Sequence, residues 1–291
     1  MKKKILIAIS AIIVVGIAVG FGWSYYLKST QSAGTTDNAT LASKTTFRRL
    51  LGKDTLVVGI DEEFPPITFK DASGNFTGVD IDFANEFAKR AGIKVIFKPV
   101  EWDSIIPALI SGNIDVVWSG MGITAERQQQ VSFAVYSRDP KGVAFVLADS
   151  SIKSKYDLKG KIIAVQSGSY QETDLKAGKI ITQNSWKEIR SMSTLPEAII
   201  DLKLGRVDAV ICSQDSASYY IEKTLDESAM FKIVDVGYEI GAGGVAFRKS
   251  DDQLRQEAQK IIDGIIRDGT ASKITTKWFG MDKYKNWDFN Y

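Results

Sequence analysis

Between Ile60 and Arg127 the chain brings an acid, two aromatics and an arginine to the ends of predicted elements. Asp61 leaves the predicted strand Leu56–Ile60, Phe64 and Trp102 offer two flat faces, and Arg127 presents a planar fork of donors that matches a carboxylate in bidentate fashion. Together they describe a clamp for a small molecule with a carboxylate and a body that aromatics can cover. Aromatic faces would also suit a guanidinium or ammonium in that body. Thr124 is the expected N-cap of the next helix, which puts Arg127 at the unfavourable end of a helix dipole unless something anionic compensates. Each residue has a plainer use: a salt bridge to Glu126 for Arg127, a turn cap for Asp61, and core packing for Phe64 and Trp102.

Composition narrows the chemistry. The 291 residues contain no histidine, so His-dependent triads and His-type zinc sites are excluded, and neither a metal nor a cofactor is expected. The single cysteine, Cys212, lies in the apolar run VDAVIC and reads as a buried, inert thiol that can form no intrachain disulfide. No catalytic residue is assigned. The net charge of +2 includes Lys2, Lys3, Lys4 and Lys28, so residues 29–291 carry 33 basic and 35 acidic side chains, or −2. A nucleic-acid partner is not expected.

The lysines precede an uncharged apolar stretch from Ile5 to Gly22. A spanning helix needs about 17 to 25 residues and a signal core about 7 to 15. Residues 1–28 are therefore expected to be a signal peptide or an N-terminal membrane anchor, and residues 29–52 a flexible tether. The body would face outward, in the periplasm or on the outer face of the cell membrane.

Short apolar strands alternate with helical periodicity, which argues for an α/β fold on mainly parallel sheets. Asp80 or Asp82 starts a helix carrying Phe83, Phe87 and Ala91, and Gly92 ends it; further helices are expected over Ser104–Ile110, Leu195–Leu204 and Asp251–Arg267. A weak internal echo, LISGNIDVV against LKLGRVDAV, suggests two similar lobes. In open α/β sheets, ligands bind at the carboxyl ends of strands. Asp61, Gly120–Arg127, Gln166–Tyr170 and Ser213–Asp215 all follow predicted strands.

From about Lys53 to Gly280 the chain resembles the family 3 extracellular solute-binding proteins, the periplasmic-binding-protein-like (type II) receptors of polar amino-acid ABC importers. The resemblance rests on Asp61–Pro66 (DEEFPP), Gly78–Asp82 (GVDID), Ile105–Leu109 (IIPAL), Gly112–Val117 (GNIDVV), Ile123–Arg127 (ITAER), Gly160–Ser169, Gly205–Val210, Asp268–Thr270 and Lys277–Gly280. It implies two lobes joined by a two-strand hinge, with lobe one formed by residues 53–138 and 240–291 and lobe two by 139–239. It further implies a monomer that closes over an amino acid and hands it to an ABC permease.

The site so implied comprises Asp61, Phe64, Trp102, Ser119, Gly120, Gly122 and Arg127 from lobe one, and Gln166, Ser169, Tyr170, Ser213 and Asp215 from lobe two. Ser169 and the amides of Gly168–Tyr170 would grip the carboxylate, and Gln166 would form a polar wall. Two positions depart from the family pattern: Gly122 stands where Ser or Thr is usual, and Ser213 where Asp is usual. Both normally hold the α-ammonium group, and loss of the Asp removes a bond of about 1.5 to 3 kcal/mol. Three explanations stay open: an ammonium site re-aimed to Asp215 or Glu62, a ligand without a standard α-amino group, or a weakened receptor. Local motifs favour a basic amino acid. The alternatives are an enzyme resembling the cyclohexadienyl dehydratases, with Asp61, Glu62 or Glu63 as acid, and a membrane-anchored amino-acid sensor.

Overall fold

The computed structural model describes residues 46–138, 141–224, 228–239 and 241–290. The expected signal or anchor, and the tether up to residue 45, lie outside the described residues. Among the described residues no helix is long and apolar enough to cross a membrane.

The first lobe is built on a five-stranded sheet of order β5-β1-β6-β13-β7, where β1 is Thr55–Ile60, β5 Lys94–Pro99, β6 Val116–Val117, β7 Val131–Arg138 and β13 Ala242–Arg248. β1 runs parallel to β5 and β6, while β13 is antiparallel to β6 and β7. A small antiparallel sheet of β2 (Glu63–Phe64), β3 (Thr68–Lys70) and β4 (Phe76–Thr77) follows β1.

Helix α1 (Val79–Ala91) buries Phe83, Phe87 and Ala91 and stops at Gly92, whose φ of 68° suits a residue without Cβ. The α2 helix (Ile105–Ile110) leads into β6, and α3 (Ala125–Gln130) into β7. Near the C-terminus α7 (Asp252–Arg267) turns Leu254, Ala258, Ile261, Ile262 and Ile265 inward, and α8 (Thr270–Phe279) follows it. Phe83, Phe87, Trp118, Phe247 and Ile262 meet in one core.

The second lobe carries the sheet β10-β9-β11-β8-β12, with β8 Lys141–Leu147, β9 Ile162–Gln166, β10 Glu188–Met192, β11 Ala209–Ser213 and β12 Phe231–Glu239. Here β9, β10 and β11 are parallel, and β8 is antiparallel to β11 and β12. The strands are apolar on both faces because both faces are covered. Ala144, Val146, Ile163 and Val165 enter one core, and Val143, Phe145, Ala164 and Val210 enter the other. Helices α4 (Tyr170–Lys176), α5 (Leu195–Lys203) and α6 (Gln214–Tyr219) complete this lobe.

The chain passes between the sheets from β7 to β8 and returns from β12 to β13. These strands are paired within each sheet, β8 with β12 and β7 with β13, so the strand ends that lead into the two crossings lie side by side. The result is a two-lobed, mixed α/β fold of the type expected.

Two expectations need correction. The tether does not extend to residue 52: residues 46–51 are helical, and Phe47 is fully buried with its ring edge-on to Phe87 at 5.0 Å. An aromatic that packs this way anchors its segment to the lobe. The strand that the sequence predicts ahead of Gly120, Ile114–Trp118, is regular only at Val116–Val117: the Asp115 and Trp118 amides still donate to Val57 O at 2.8 Å and Gly59 O at 3.2 Å, but the Val57 amide is taken by the Asp115 carboxylate at 2.7 Å, which also holds Lys53 Nζ at 2.7 Å.

Candidate functional site

The residues singled out at strand ends converge on the junction between the lobes. Thr124 caps α3 by accepting the Arg127 amide at 3.2 Å, which fixes the arginine in the first turn of the helix. The side chain is 7% exposed, and its guanidinium donates to Gly122 O at 2.8 Å and, across the junction, to Gly168 O at 3.0 Å. Both acceptors are carbonyls, so the salt bridge to Glu126 is not formed. Burial lowers the Arg127 pKa, with Tyr170 and Glu126 acting in the opposite sense. A buried cation held only by carbonyl dipoles is a strong anchor for an anion. The Trp102 ring lies 5.6 Å from the guanidinium carbon.

Asp61 follows β1 and is also buried. Its Oδ1 accepts from the Glu63 amide at 2.9 Å, the turn-capping role, and its Oδ2 accepts from Gln166 Nε2 of the second lobe at 2.6 Å. Burial raises its pKa, and the bonds from Glu63 and Gln166 oppose that rise. Ser119 is fully buried; its Oγ accepts from the Asp61 amide at 3.1 Å and donates to Thr68 Oγ1 at 2.6 Å, whose own proton goes to Asp61 O at 2.6 Å. It braces the β1 end.

On the second lobe, Ser169 caps α4 by accepting the Glu172 amide at 3.1 Å, and Ser213, the last residue of β11, caps α6 by accepting the Ser216 amide at 3.2 Å. Asp215 does not turn inward as a free acceptor. Its carboxylate takes Lys283 Nζ, from the first lobe, at 2.5 and 2.6 Å.

Two adjoining cavities occupy the junction. The smaller, about 30 Å³, is lined by Phe64, Trp102, Gly120, Gln166, Ser169 and Tyr170, among others, and the larger, about 80 Å³, by Phe64, Gly120, Gly122, Tyr170, Ser213 and Asp215 together with Lys283. A water needs roughly 10 to 15 Å³ on this measure, so both spaces admit ligand atoms. Of the twelve expected residues, Asp61, Ser119 and Arg127 line neither cavity. Asp61 and Arg127 instead bond across the junction.

Several lining residues were not expected. Asp80, Tyr136 and Ser137 face the larger cavity, as do Lys283 and Trp287 of the C-terminal segment. Asp80 Oδ2 accepts from the Gly120 amide at 2.7 Å and from Tyr136 OH at 2.5 Å. Burial pushes its pKa up to about 7 against the lowering effect of those two bonds. Its place in GVDID was visible in the sequence, but nothing there showed that it faces a cavity. Cys212 lines the smaller cavity, and burial pushes its thiol up to about 12, which keeps it unreactive. Among the described residues no group of three metal-ligating side chains occurs.

Comparison with known proteins agrees with this architecture. The chain is 30% identical over 240 residues to the L-cystine-binding protein TcyJ of Escherichia coli, covering 80% of this chain and 85% of that one. It is 32% identical over 232 residues to the arginine-binding extracellular protein ArtP of Bacillus subtilis, covering 80% and 89%. A solved substrate-binding protein of an ABC uptake transporter from Streptococcus pneumoniae, with bound histidine, superposes with a TM-score of 0.76 at 30% identity, covering 83% of this chain and 98% of that one. Residues 56–281 match the family as a whole, and with the two lobes, paired crossings and interlobe cavities in place, the chain belongs to the bacterial extracellular solute-binding proteins, family 3.

Proposed function

We propose that this protein is an extracytoplasmic receptor that captures a polar, basic L-amino acid between its lobes and delivers it to an ABC importer. The observation that carries this reading is the buried guanidinium of Arg127, held by one carbonyl from each lobe. A ligand carboxylate supplies the anion that this cation lacks, and seating it draws Gly168 and the first turn of α4 toward lobe one. The names of the relatives, for cystine, arginine and histidine, support an amino acid as the ligand.

The N-terminal segment would export the body or hold it at the outer face of the membrane, and the receptor would act as a monomer without a cofactor. The sensor alternative shares this binding step. The dehydratase alternative needs an acid poised over the ligand. Asp61 instead holds Gln166, and Asp80 Oδ2 already takes two hydrogen bonds. We therefore assign binding rather than turnover.

Calorimetric titration with the common L-amino acids tests the reading. One-to-one binding should appear for at least one of them, and Arg127→Met should weaken it by a hundredfold or more, the order expected for losing a buried charge-assisted pair. Unchanged affinity in that variant would remove Arg127 from the site.

A further inference from the structure

The larger cavity is lined by a carboxylate with only one of its oxygens engaged. Asp80 lies in the first turn of α1 and is 2% exposed. Its Oδ2 takes both the Gly120 amide and the Tyr136 hydroxyl. Among the described residues Oδ1 has no hydrogen-bond partner, no cation stands within ion-pair distance of it, and it stays open to the cavity. Lys283, the cation that shares this space, is held by Asp215. A buried carboxylate oxygen without a partner is destabilising, and a donor entering the cavity offsets that penalty. The space of about 80 Å³ admits more than a single water, and the Tyr136 and Ser137 hydroxyls add acceptors beside Asp80. An ammonium group, compact and carrying three donors, fits such a set of oxygens.

We propose that Asp80 Oδ1 accepts an ammonium group of the bound amino acid, and that seating this group releases a proton. The inference rests on the receptor reading but not on Arg127. Because Oδ2 already accepts two donors, the proton that burial keeps on the empty carboxyl up to about pH 7 sits on Oδ1. An incoming ammonium needs that oxygen bare. The Oδ1–H bond therefore breaks, its electron pair stays on the carboxylate, the proton leaves to solvent, and the ammonium keeps its own three. Burial pushes the Tyr136, Tyr170 and Tyr284 hydroxyls upward, so they stay neutral, and Lys283 and Asp215 offset each other. A catalytic acid at Asp80 would instead have to keep its proton with the ligand in place.

Calorimetry on the full chain from about pH 5 to about pH 8 tests this, with L-lysine, L-norleucine and 6-aminohexanoate as probes. For at least one of them affinity should fall about tenfold for each pH unit below about 7, and at about pH 6 buffers of unlike ionisation heat should reveal close to one proton released. Release with L-norleucine but not 6-aminohexanoate assigns the α-ammonium to Asp80, and the reverse assigns the side-chain ammonium. Asp80→Asn still offers an oxygen to Gly120 and Tyr136. It should bind the same probe at least about tenfold more weakly at about pH 8 and lose both the pH dependence and the proton release. Should that variant fail to fold, Tyr136→Phe removes a bond that holds the Asp80 midpoint down and should move the fall in affinity to higher pH. Affinity that is flat over this range, that rises on acidification, or whose pH dependence survives Asp80→Asn overturns the proposal. If an amino acid binds in those cases, the receptor reading stands without it. If none of the common amino acids binds, both fail.

Discussion

Gln166 of the second lobe donates its side-chain amide to the Asp61 carboxylate of the first at 2.6 Å, joining residues 105 positions apart in the chain. This bond exists only when the lobes meet. A hydrogen bond to a charged group contributes about 1.5 to 3 kcal/mol, so Gln166→Leu should weaken ligand binding by roughly ten- to a hundredfold. Calorimetric affinities check this, and an unchanged value would show that Asp61 and Gln166 contribute nothing to closure.

Gly168 offers a steric test of the same closure. Its φ is +69°, and a Cβ placed there would lie 2.9 Å from Asp103 Cα of the other lobe, closer than real side chains come to backbone. Gly168→Ala should hold the lobes apart, lowering affinity by at least tenfold, the equivalent of about 1.4 kcal/mol. Small-angle scattering with ligand should show a larger radius of gyration for this variant than for the unaltered protein. Full compaction would show that the junction yields.

Asp80 sets a pH dependence. Burial disfavours the ionised form and pushes its carboxyl up to about 7 in the folded protein, from the ordinary aspartate value of 3.8. The folded state therefore holds the proton more tightly than the unfolded chain. The stabilisation is full below pH of about 4 and is lost as pH rises through about 7. Urea unfolding of Asp80→Asn should lose this falling component between those limits, and a slope identical to that of the unaltered protein would refute the assignment.

Arg127 should cost the empty protein stability. Its desolvation is offset by carbonyls rather than by a carboxylate, and a buried charge without an ion partner is commonly replaceable by an apolar side chain without loss. Arg127→Met should thus unfold within about 1 kcal/mol of the unaltered protein, or at higher denaturant, while binding is lost. A large destabilisation would mark the arginine as a structural brace.

Phe47 defines where the folded body begins. It is fully buried against Phe87, and truncating a buried phenylalanine costs about 3 to 5 kcal/mol. Phe47→Ala should lower the melting temperature clearly, and an unchanged melt would return residues 46–51 to the tether.

Much of the fold was legible because its signals are local. The stripe of Phe83, Phe87 and Ala91 ending at Gly92 and the long stripe of α7 each need only one face of one helix. The strand ends bearing Asp61, Gln166 and Ser213 were legible for the same reason. The helix over residues 46–51 was not, because it is too short to show a period beside a polar stretch. Nor were the pairings that join distant segments. Nothing in the residues around Asp215 points to Lys283, and the carboxylate that seemed free to receive an ammonium group proves to be held. The aromatic pair was legible in position but not in partner, since Trp102 lies beside the Arg127 guanidinium while Phe64 spans both cavities.

The strand ends that lead from one sheet to the other lie side by side, β7 paired with β13 and β8 with β12. A two-strand link bends and twists more readily than it stretches, so under the closure proposed above the lobes would turn about it much as a door does on a single pair of leaves. The bonds from Gln166 to Asp61, Arg127 to Gly168 and Lys283 to Asp215 would then be gained or lost as a set, and weakening any one of them would shift how often the door stands shut.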